Sequence, residues 1–248
     1  MSSSAQGLLY CVSGYDDYLL ECIGSIQSAR EYCPHLAICV VSDLEEGTDT
    51  LKRYADELIL MEPPDEWFVP WGAGLLQKIK ALQKSPFERT LYLDTDTRIL
   101  SSDVERIFEK LEYADIAMIE ATPSQSVSRK LYGRFMYNTG VVAFRNTRPV
   151  KELLTAWEVL HVRHLRAIRE GREDSFQYVS HLTSISDKQD LLQNDQLALA
   201  LLCPHEGKGE VRVEVLAPLW NWRPNELPKR RGVYIHHARI YKKKRWAK

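Results

Sequence analysis

Two carboxylates stand one residue apart at the end of a short apolar segment: Asp94 and Asp96 follow residues 90–93. The segment has the composition of a buried strand. Because side chains alternate along a strand, we expect both carboxylates to point the same way. Carboxylate oxygens are the ligands that a hard divalent cation prefers, and two of them leave coordination positions for water and phosphate oxygens. The pair therefore predicts a metal site that handles a diphosphate.

Hydrophobic spacing predicts the elements that hold this pair. Short apolar segments alternate with segments of helical spacing, which is typical of a parallel sheet flanked by helices. The predicted strands are residues 8–12, 37–41, 57–61, 90–93, 116–120, 141–144, 211–216 and 233–235, and the predicted helices are residues 18–30, 73–84, 104–111, 150–169 and 196–202. Such sheets bind ligands at the carboxyl ends of strands, where Ser13, Gly14 and Asp43 also lie. We expect one α/β domain over residues 1–248, with a polar loop at residues 122–132.

Composition and charge limit the class of protein. The net charge of the 248 residues is −1, and no apolar run of about 18 residues predicts a membrane span. The charge is uneven, because residues 223–248 hold ten Lys and Arg against one acidic residue. This basic C-terminal segment is a solvated tail, a diphosphate-binding element or a contact with an anionic membrane surface. We expect no nucleic-acid partner.

Cysteine usage and the N-terminus predict a cytoplasmic protein. The five cysteines form no CxxC pair and leave one over, so we expect reduced thiols. No basic residue precedes the apolar residues 8–12, which argues against a secretory signal. The predicted location is the cytoplasm, with the inner membrane face as an option through the basic segment.

Four motifs in order give the whole chain a family resemblance. They are Leu93-Asp94-Thr95-Asp96-Thr97, Tyr137-Asn138-Thr139-Gly140-Val141, Asn194-Asp195-Gln196, and His236 followed by Lys242. In this order they resemble the DxD, FNSG, DQ and HxxGxxK motifs of GT-A-fold glycosyltransferases, most of all family 8, the glycogenin and lipopolysaccharide galactosyltransferase group. The chain departs from that pattern where Leu197 follows the DQ pair and where Arg239 replaces a glycine.

The resemblance implies the GT-A fold and transfer of a hexose from a nucleoside-diphosphate sugar, UDP-linked by preference, to an acceptor hydroxyl with retention. It implies Mn²⁺ or Mg²⁺ as cofactor. The expected metal ligands are Asp94, Asp96 and His236; the expected donor-binding residues are Tyr15, Lys78, Asp94, Gly140 and Lys242; the expected catalytic residues are Asp195, Gln196 and Asn138. The acceptor is open: a glycan, a lipid-linked sugar, a protein or a small molecule.

Several alternatives remain open on the sequence. The last motif fits nearly as well one residue later, with His237 and Lys243. An inverting enzyme would need a carboxylate base, for which Glu120, Glu173 and Asp174 are candidates. A sugar-nucleotide-binding protein without transfer activity would carry the same motifs. A nucleotidyltransferase is disfavoured because the loop at residues 13–17 is acidic and poor in glycine.

Aromatic residues offer a further expectation about the acceptor. Tryptophan and phenylalanine side chains can form apolar platforms for a sugar or lipid, although packing in the core is the more common use of such residues. The candidates are Trp67, Phe68, Trp71, Trp220 and Trp222.

Overall fold

The computed structural model describes residues 5–14, 16–44, 46–65, 70–123, 126–203, 210–224 and 231–238, and every structural statement below concerns these ranges. Tyr15 and Lys242, two of the predicted donor-binding residues, lie outside them. The alternative Lys243 and the aromatic residues Trp67 and Phe68 lie outside them as well.

Strands and helices alternate through most of the described chain. The strands are β1 (Gln6–Val12), β2 (Ala37–Ser42), β3 (Glu57–Leu60), β4 (Arg89–Leu93), β5 (Thr97–Ile99), β6 (Ile116–Glu120), β7 (Tyr137–Arg145), β8 (Val213–Leu216) and β9 (Ile235–His237). The helices are α1 (Asp16–Tyr32), α2 (Thr48–Tyr54), α3 (Pro70–Gln83), α4 (Ile107–Lys110), α5 (Val127–Tyr132), α6 (Arg148–Arg169), α7 (Ile185–Leu192) and α8 (Asp195–Leu202). Within the described ranges, no helix combines the length and apolar character needed to cross a membrane.

One mixed sheet forms the centre of the molecule. In the described part of the chain it has the strand order β3-β2-β1-β4-β7-β6-β8. β7 runs antiparallel to both its neighbours, β4 and β6, whereas the other neighbouring pairs are parallel. The predicted α/β architecture, a mostly parallel sheet flanked by helices, is therefore confirmed. The reversal of β7 has a consequence for the site, because the start of β7 lies beside the carboxyl end of β4.

Both faces of the sheet are buried, as the continuous apolar sequence of β1 requires. Alternate residues of β1 serve opposite faces: Leu8 and Tyr10 join the core under α1, while Leu9 and Cys11 join the core under α3, α6 and α8. Trp157 of α6 is among the largest side chains buried in this second core. The helices therefore cover both faces of the sheet and leave the carboxyl ends of its strands open for the site.

A two-stranded sheet adds the late part of the chain to that edge. β5 and β9 pair antiparallel, with Thr97 opposite His237 and Ile99 opposite Ile235. The backbone N–H of Ala238 also donates to the carbonyl oxygen of Asp96 at 3.1 Å. This pairing brings the predicted histidine region next to the carboxylate pair, although some 140 residues of chain separate them.

Some local predictions were wrong. Residues 127–132 of the predicted loop form helix α5, which begins where the Ser126 side chain accepts a hydrogen bond from the Arg129 backbone and ends at Gly133, whose φ is 67°. The predicted helix at residues 104–111 is a 3-10 turn, Ser102–Arg106, followed by the short α4. The elements α2, β5 and α7 lie where the spacing predicts none. Each is short, so that hydrophobic periodicity has few residues to show itself.

The cysteines are residues of the core. All five cysteines are buried and free of disulfides. Burial raises the pKa of the Cys33 and Cys39 thiols to about 12 and that of Cys203 to about 11. Because the thiolate is the reactive form, these side chains behave as small core residues and not as nucleophiles.

Candidate active site

The two carboxylates lie in a tight turn between β4 and β5. The backbone N–H of Asp94 donates to the carbonyl oxygen of Gly140 at 2.9 Å, which extends the β4–β7 ladder by one residue. The Thr97 hydroxyl then donates to the carbonyl oxygen of Asp94 at 2.8 Å. Both bonds hold the backbone of the turn, so the side chains of Asp94 and Asp96 start from fixed positions at the carboxyl end of β4.

His237, and not His236, completes a group of three candidate ligands with these carboxylates. Its Nε2 atom lies 3.0 Å from Oδ1 of Asp96 and 3.9 Å from Oδ2 of Asp94. One ligand atom from each of the three residues lies within 4.8 Å of the others. Alternation along β9 turns His236 the opposite way, and its ring contacts that of Trp222 at a tilt of 40°, with 5.3 Å between centroids. The expected ligand His236 is therefore replaced by the alternative, His237.

Gly140 makes room for this group. A Cβ atom at this position would lie 2.2 Å from Cε1 of His237 and 2.9 Å from Oδ2 of Asp94. Real Cβ atoms do not approach other atoms so closely, so only glycine fits here without displacing the ring. The resemblance placed Gly140 among the donor-binding residues, and in the structure the His237 ring and the Asp94 carboxylate lie against it.

Lys78 of α3 links the metal-ligand group to α8. Its Nζ lies 3.2 Å from Oδ2 of Asp195 and 3.5 Å from Oδ1 of Asp94, and it donates to the Thr139 hydroxyl at 3.0 Å. The Lys78 side chain is only 7% exposed and that of Asp195 only 2%. Burial acts to lower the pKa of Lys78, but Asp195 and Asp94 together raise it above its usual value. The lysine is therefore a charged, fixed bridge between two carboxylates.

Asp195 and Gln196 begin α8 under several constraints. The Asn194 side chain caps the helix by accepting from the Gln196 N–H at 3.0 Å. Oδ2 of Asp195 accepts from the Thr139 hydroxyl at 2.7 Å, and the Asp195 carbonyl oxygen accepts from Nε1 of Trp157 at 2.8 Å. These contacts place the carboxylate of Asp195 beside Lys78, at the same edge as Asp94.

The Gln196 side chain points toward a different element. Its Oε1 accepts from the Ser126 hydroxyl at 2.5 Å and lies 3.4 Å from the Ser128 hydroxyl, both at the start of α5. The link ties α8 to the segment that the sequence predicted as a polar loop, residues 122–132.

Asn138 is buried behind the ligand group. Its Oδ1 accepts from the Gly140 N–H at 3.0 Å and from Nδ2 of Asn221 at 2.7 Å. The resemblance implied a catalytic role for this side chain. With the residue only 2% exposed, that oxygen is used inside the protein and would have to give up one of these bonds to reach a sugar.

The sequence did not single out three residues that support the ligand group. Tyr92 donates through its hydroxyl to Oδ1 of Asp94 at 2.8 Å. Thr139 bridges Lys78 and Asp195, and Asn221 contacts Nδ1 of His237 at 2.7 Å. Thr139 was visible inside the second motif. Tyr92 stands two residues before Asp94, a spacing that puts it on the same face of the strand, so it too carried a signal.

The loop after β1 is held by Asp43. Oδ2 of Asp43 accepts from the Ser13 hydroxyl at 2.6 Å and from Nε2 of Gln77 at 2.9 Å, and Oδ1 lies 3.3 Å from the Gly14 N–H. Asp43, which the sequence placed at a strand end where such sheets bind ligands, thus shapes the loop at Ser13 and Gly14.

The three carboxylates considered as an inverting base are each engaged with another side chain. Arg129 lies 2.8 Å from Glu120, Lys188 donates to Asp174 at 2.5 Å, and the buried Glu173 accepts from Gln189 at 2.7 Å. Among the aromatic candidates in the described ranges, Trp220 is buried, Trp222 is partly buried and Trp71 is 45% exposed.

Comparisons with solved structures show the same architecture, whereas no family model and no curated protein sequence matches the chain. Mouse xyloside xylosyltransferase 1 in its apo form has a TM-score of 0.54 at 12% identity, covering 94% of this chain and 97% of that chain. The glycosyltransferase GlyE of Streptococcus pneumoniae TIGR4 has a TM-score of 0.56 at 14% identity, covering 94% of this chain and 54% of that chain. The galactosyltransferase LgtC in complex with donor and acceptor sugar analogs has a TM-score of 0.52 at 13% identity, covering 93% and 86%. The chain therefore has the GT-A fold that these glycosyltransferases share.

Proposed function

We propose that this protein is a metal-dependent glycosyltransferase, which moves a hexose from a nucleoside-diphosphate sugar to an acceptor hydroxyl. One observation carries the proposal: Asp94, Asp96 and His237 converge at the carboxyl end of β4, beside the buried Lys78–Asp195 pair. In a sheet of this type that edge is where ligands bind. The fold shared with glycosyltransferases supports the same reaction class.

The donor set fits a divalent cation. Oδ1 of Asp94 receives the Tyr92 hydroxyl and lies near Lys78, which leaves Oδ2 on the side of His237. Two carboxylates and one imidazole suit Mn²⁺, and Mg²⁺ less well because it prefers oxygen ligands. When bound, the cation would act as a Lewis acid that neutralises charge on the diphosphate of the leaving group.

The remaining residues have proposed roles around a sugar donor, with a UDP-sugar as the preferred candidate. Lys78 pairs with Asp94 and Asp195 and holds both in place, and Asp195 with Gln196 stabilises positive charge that develops on the sugar. Tyr15 would stack on the base and Lys242 would neutralise the diphosphate. We propose retention by front-face attack, in which the departing phosphate accepts the proton of the acceptor hydroxyl.

On the acceptor side, the proposal concerns two segments of the chain, residues 122–134 and the basic C-terminal segment. The segment at residues 122–134 contains α5, and the hydrogen bond from Ser126 to Gln196 connects it with the residues proposed to surround the sugar donor. We propose that this segment contacts the acceptor, whether a glycan, a lipid-linked sugar, a protein or a small molecule. The basic segment at residues 223–248 would supply contact with an anionic membrane if the acceptor is lipid-linked.

The test is release of nucleoside diphosphate from a panel of sugar nucleotides in the presence of Mn²⁺. We expect slow hydrolysis of one donor by the wild type, because water can replace a missing acceptor. Asp96→Asn keeps the shape of the side chain but removes a charged ligand, and we expect it to lower the rate at least ~100-fold. Asp49→Asn is the matched control, because Asp49 is exposed on α2.

The outcomes separate the proposal from its alternatives. Tight donor binding with no turnover, even after a screen of sugar acceptors, would indicate a sugar-nucleotide-binding protein. Release of pyrophosphate from a nucleoside triphosphate and a sugar phosphate would indicate a nucleotidyltransferase. The anomeric configuration of a transferred sugar, measured by NMR, decides between retention and inversion.

A further inference from the structure

A chain of buried hydrogen bonds stands directly behind His237. Nδ1 of His237 lies 2.7 Å from Oδ1 of Asn221, and Nδ2 of Asn221 donates to Oδ1 of Asn138 at 2.7 Å. That same oxygen accepts the backbone N–H of Gly140 at 3.0 Å. All three residues are at most 5% exposed, so water does not compete for these bonds. We propose that Asn221 is a positioning residue, which fixes His237 in the tautomer that leaves Nε2 free to bind the cation.

The direction of the chain follows from its last member. A backbone N–H can only donate, so the atom of Asn138 that faces Gly140 must be the amide oxygen. The atom of Asn221 that meets this oxygen must then be the amide nitrogen. The other end of the Asn221 amide, which faces His237, is therefore its oxygen.

An amide oxygen only accepts, so Nδ1 of His237 carries a proton. In the neutral ring the second nitrogen, Nε2, then has a lone pair, and this is the atom that lies 3.0 Å from Asp96. His237 thus offers Nε2 as a metal ligand beside the two carboxylates, and that atom does not donate a hydrogen bond to them. Hydrogen bonds that set the tautomer of a ligating histidine in this way typically change metal affinity 10–100-fold.

The backbone around Asn221 holds the amide in register with β9. Asn221 ends the 3-10 turn Pro218–Asn221. The N–H of Trp222 donates to the carbonyl oxygen of Ile235 at 2.8 Å, and the N–H of His237 donates to that of Trp222 at 2.9 Å. These main-chain hydrogen bonds therefore set the distance from the Asn221 amide to the His237 ring.

This inference rests on the proposed metal site, and its test uses binding and not turnover. Mn²⁺ affinity is measured by the EPR signal of free Mn²⁺, without nucleotide. Asn221→Leu has nearly the same shape but no acceptor, and we expect it to weaken Mn²⁺ binding ~10–100-fold. Asn221→Asp keeps an acceptor toward Nδ1 and is expected to bind within a few-fold of wild type. Asn146→Leu is the control, because it removes a side-chain amide at the opposite end of β7, which donates to the Ser85 carbonyl oxygen at 3.3 Å.

A second measurement needs no variant that might misfold. Ring ¹⁵N NMR of the wild type at pH 8 with Mg²⁺, with His237 assigned through His237→Gln, is expected to show a proton on Nδ1 and none on Nε2. A proton on Nε2 overturns the inference, as does an Asn221→Leu protein that binds Mn²⁺ like the wild type. If Asp96→Asn abolishes Mn²⁺ binding while Asn221→Leu does not, the metal site stands and the role of Asn221 fails. If the wild type binds no Mn²⁺, the metal site fails, and the inference that rests on it is overturned too.

Discussion

Gly140 lies so close to His237 and Asp94 that its lack of a side chain is part of the candidate metal site. We predict that Gly140→Ala weakens Mn²⁺ binding at least ~10-fold, because the new Cβ would lie 2.2 Å from the histidine ring and push it away from Asp96. Gly74→Ala in α3 is the control, since a Cβ there meets no atom within 4 Å. Isothermal titration with Mn²⁺ measures both. Equal affinities of the two variants would contradict this account of Gly140.

Lys78 is the positively charged side chain that pairs with two carboxylates of the site, Asp94 and Asp195. Lys78→Met would leave Asp195 buried without its ion pair, which typically costs about 3–5 kcal/mol of stability. Lys110→Met removes the half-exposed pair with Glu214, and we expect a far smaller loss for it. Urea unfolding of both variants without metal measures the difference. Similar losses would mean that the Lys78 bridge contributes little to folding.

At the residue scale, the sequence predicted the candidate metal ligands better than the residues that hold them in place. Asp94 and Asp96 could be chosen from local spacing, because a strand end places both on one side. The choice between His236 and His237 depended on which face of β9 lies on the side of Asp94 and Asp96, and that is set by pairing with β5 across about 140 residues of chain. Asn221 carries no motif of its own, and only the folded geometry shows that it meets His237.

At the element scale, α6 and α8 meet at the bond from Trp157 to the Asp195 carbonyl oxygen. Trp157→Phe keeps most of the buried ring but leaves that oxygen without its donor, so we predict a loss of about 1–3 kcal/mol in the free energy of unfolding. We also expect a lower transfer rate, because the same bond holds the first residue of α8. Trp71→Phe, at a half-exposed tryptophan, is the control in urea unfolding. An unfolding midpoint unchanged by Trp157→Phe would show that the bond is not needed.

Elements with long periodic patterns were predictable, and short ones were not. The apolar spacing of α6 predicted a helix at residues 150–169, and the structure extends it by only two residues at its start. The alternation of strands and helices likewise predicted a mostly parallel sheet, but nothing local indicated that β7 runs in the opposite direction. Helix α5 has only six residues, and its cap at Ser126 and the glycine at its end, Gly133, were the signals available.

At the scale of the whole molecule, two buried histidines of α6 couple stability to pH. Burial lowers the pKa of His164 to about 3, and burial also lowers that of His161. Nε2 of His164 bonds the Tyr178 hydroxyl at 2.6 Å, and Nε2 of His161 lies 3.3 Å from the Gly72 carbonyl oxygen. Both rings therefore remain neutral in the folded protein at a pH where they are protonated in the unfolded chain.

The sign of the effect of pH follows from proton binding. Below pH 6.5 the unfolded chain binds a proton at each of these histidines more readily than the folded protein does, so stability falls as pH falls, and for His164 the fall continues toward pH 3. Between pH 7 and pH 5 we predict that His164 alone accounts for a loss of about 2 kcal/mol. His164→Gln should remove that share of the slope, whatever its effect on absolute stability. Urea unfolding of both proteins at several pH values, without metal, measures the difference in slope. Parallel curves for the two would show that His164 is already protonated in the folded state, or is exposed to water there.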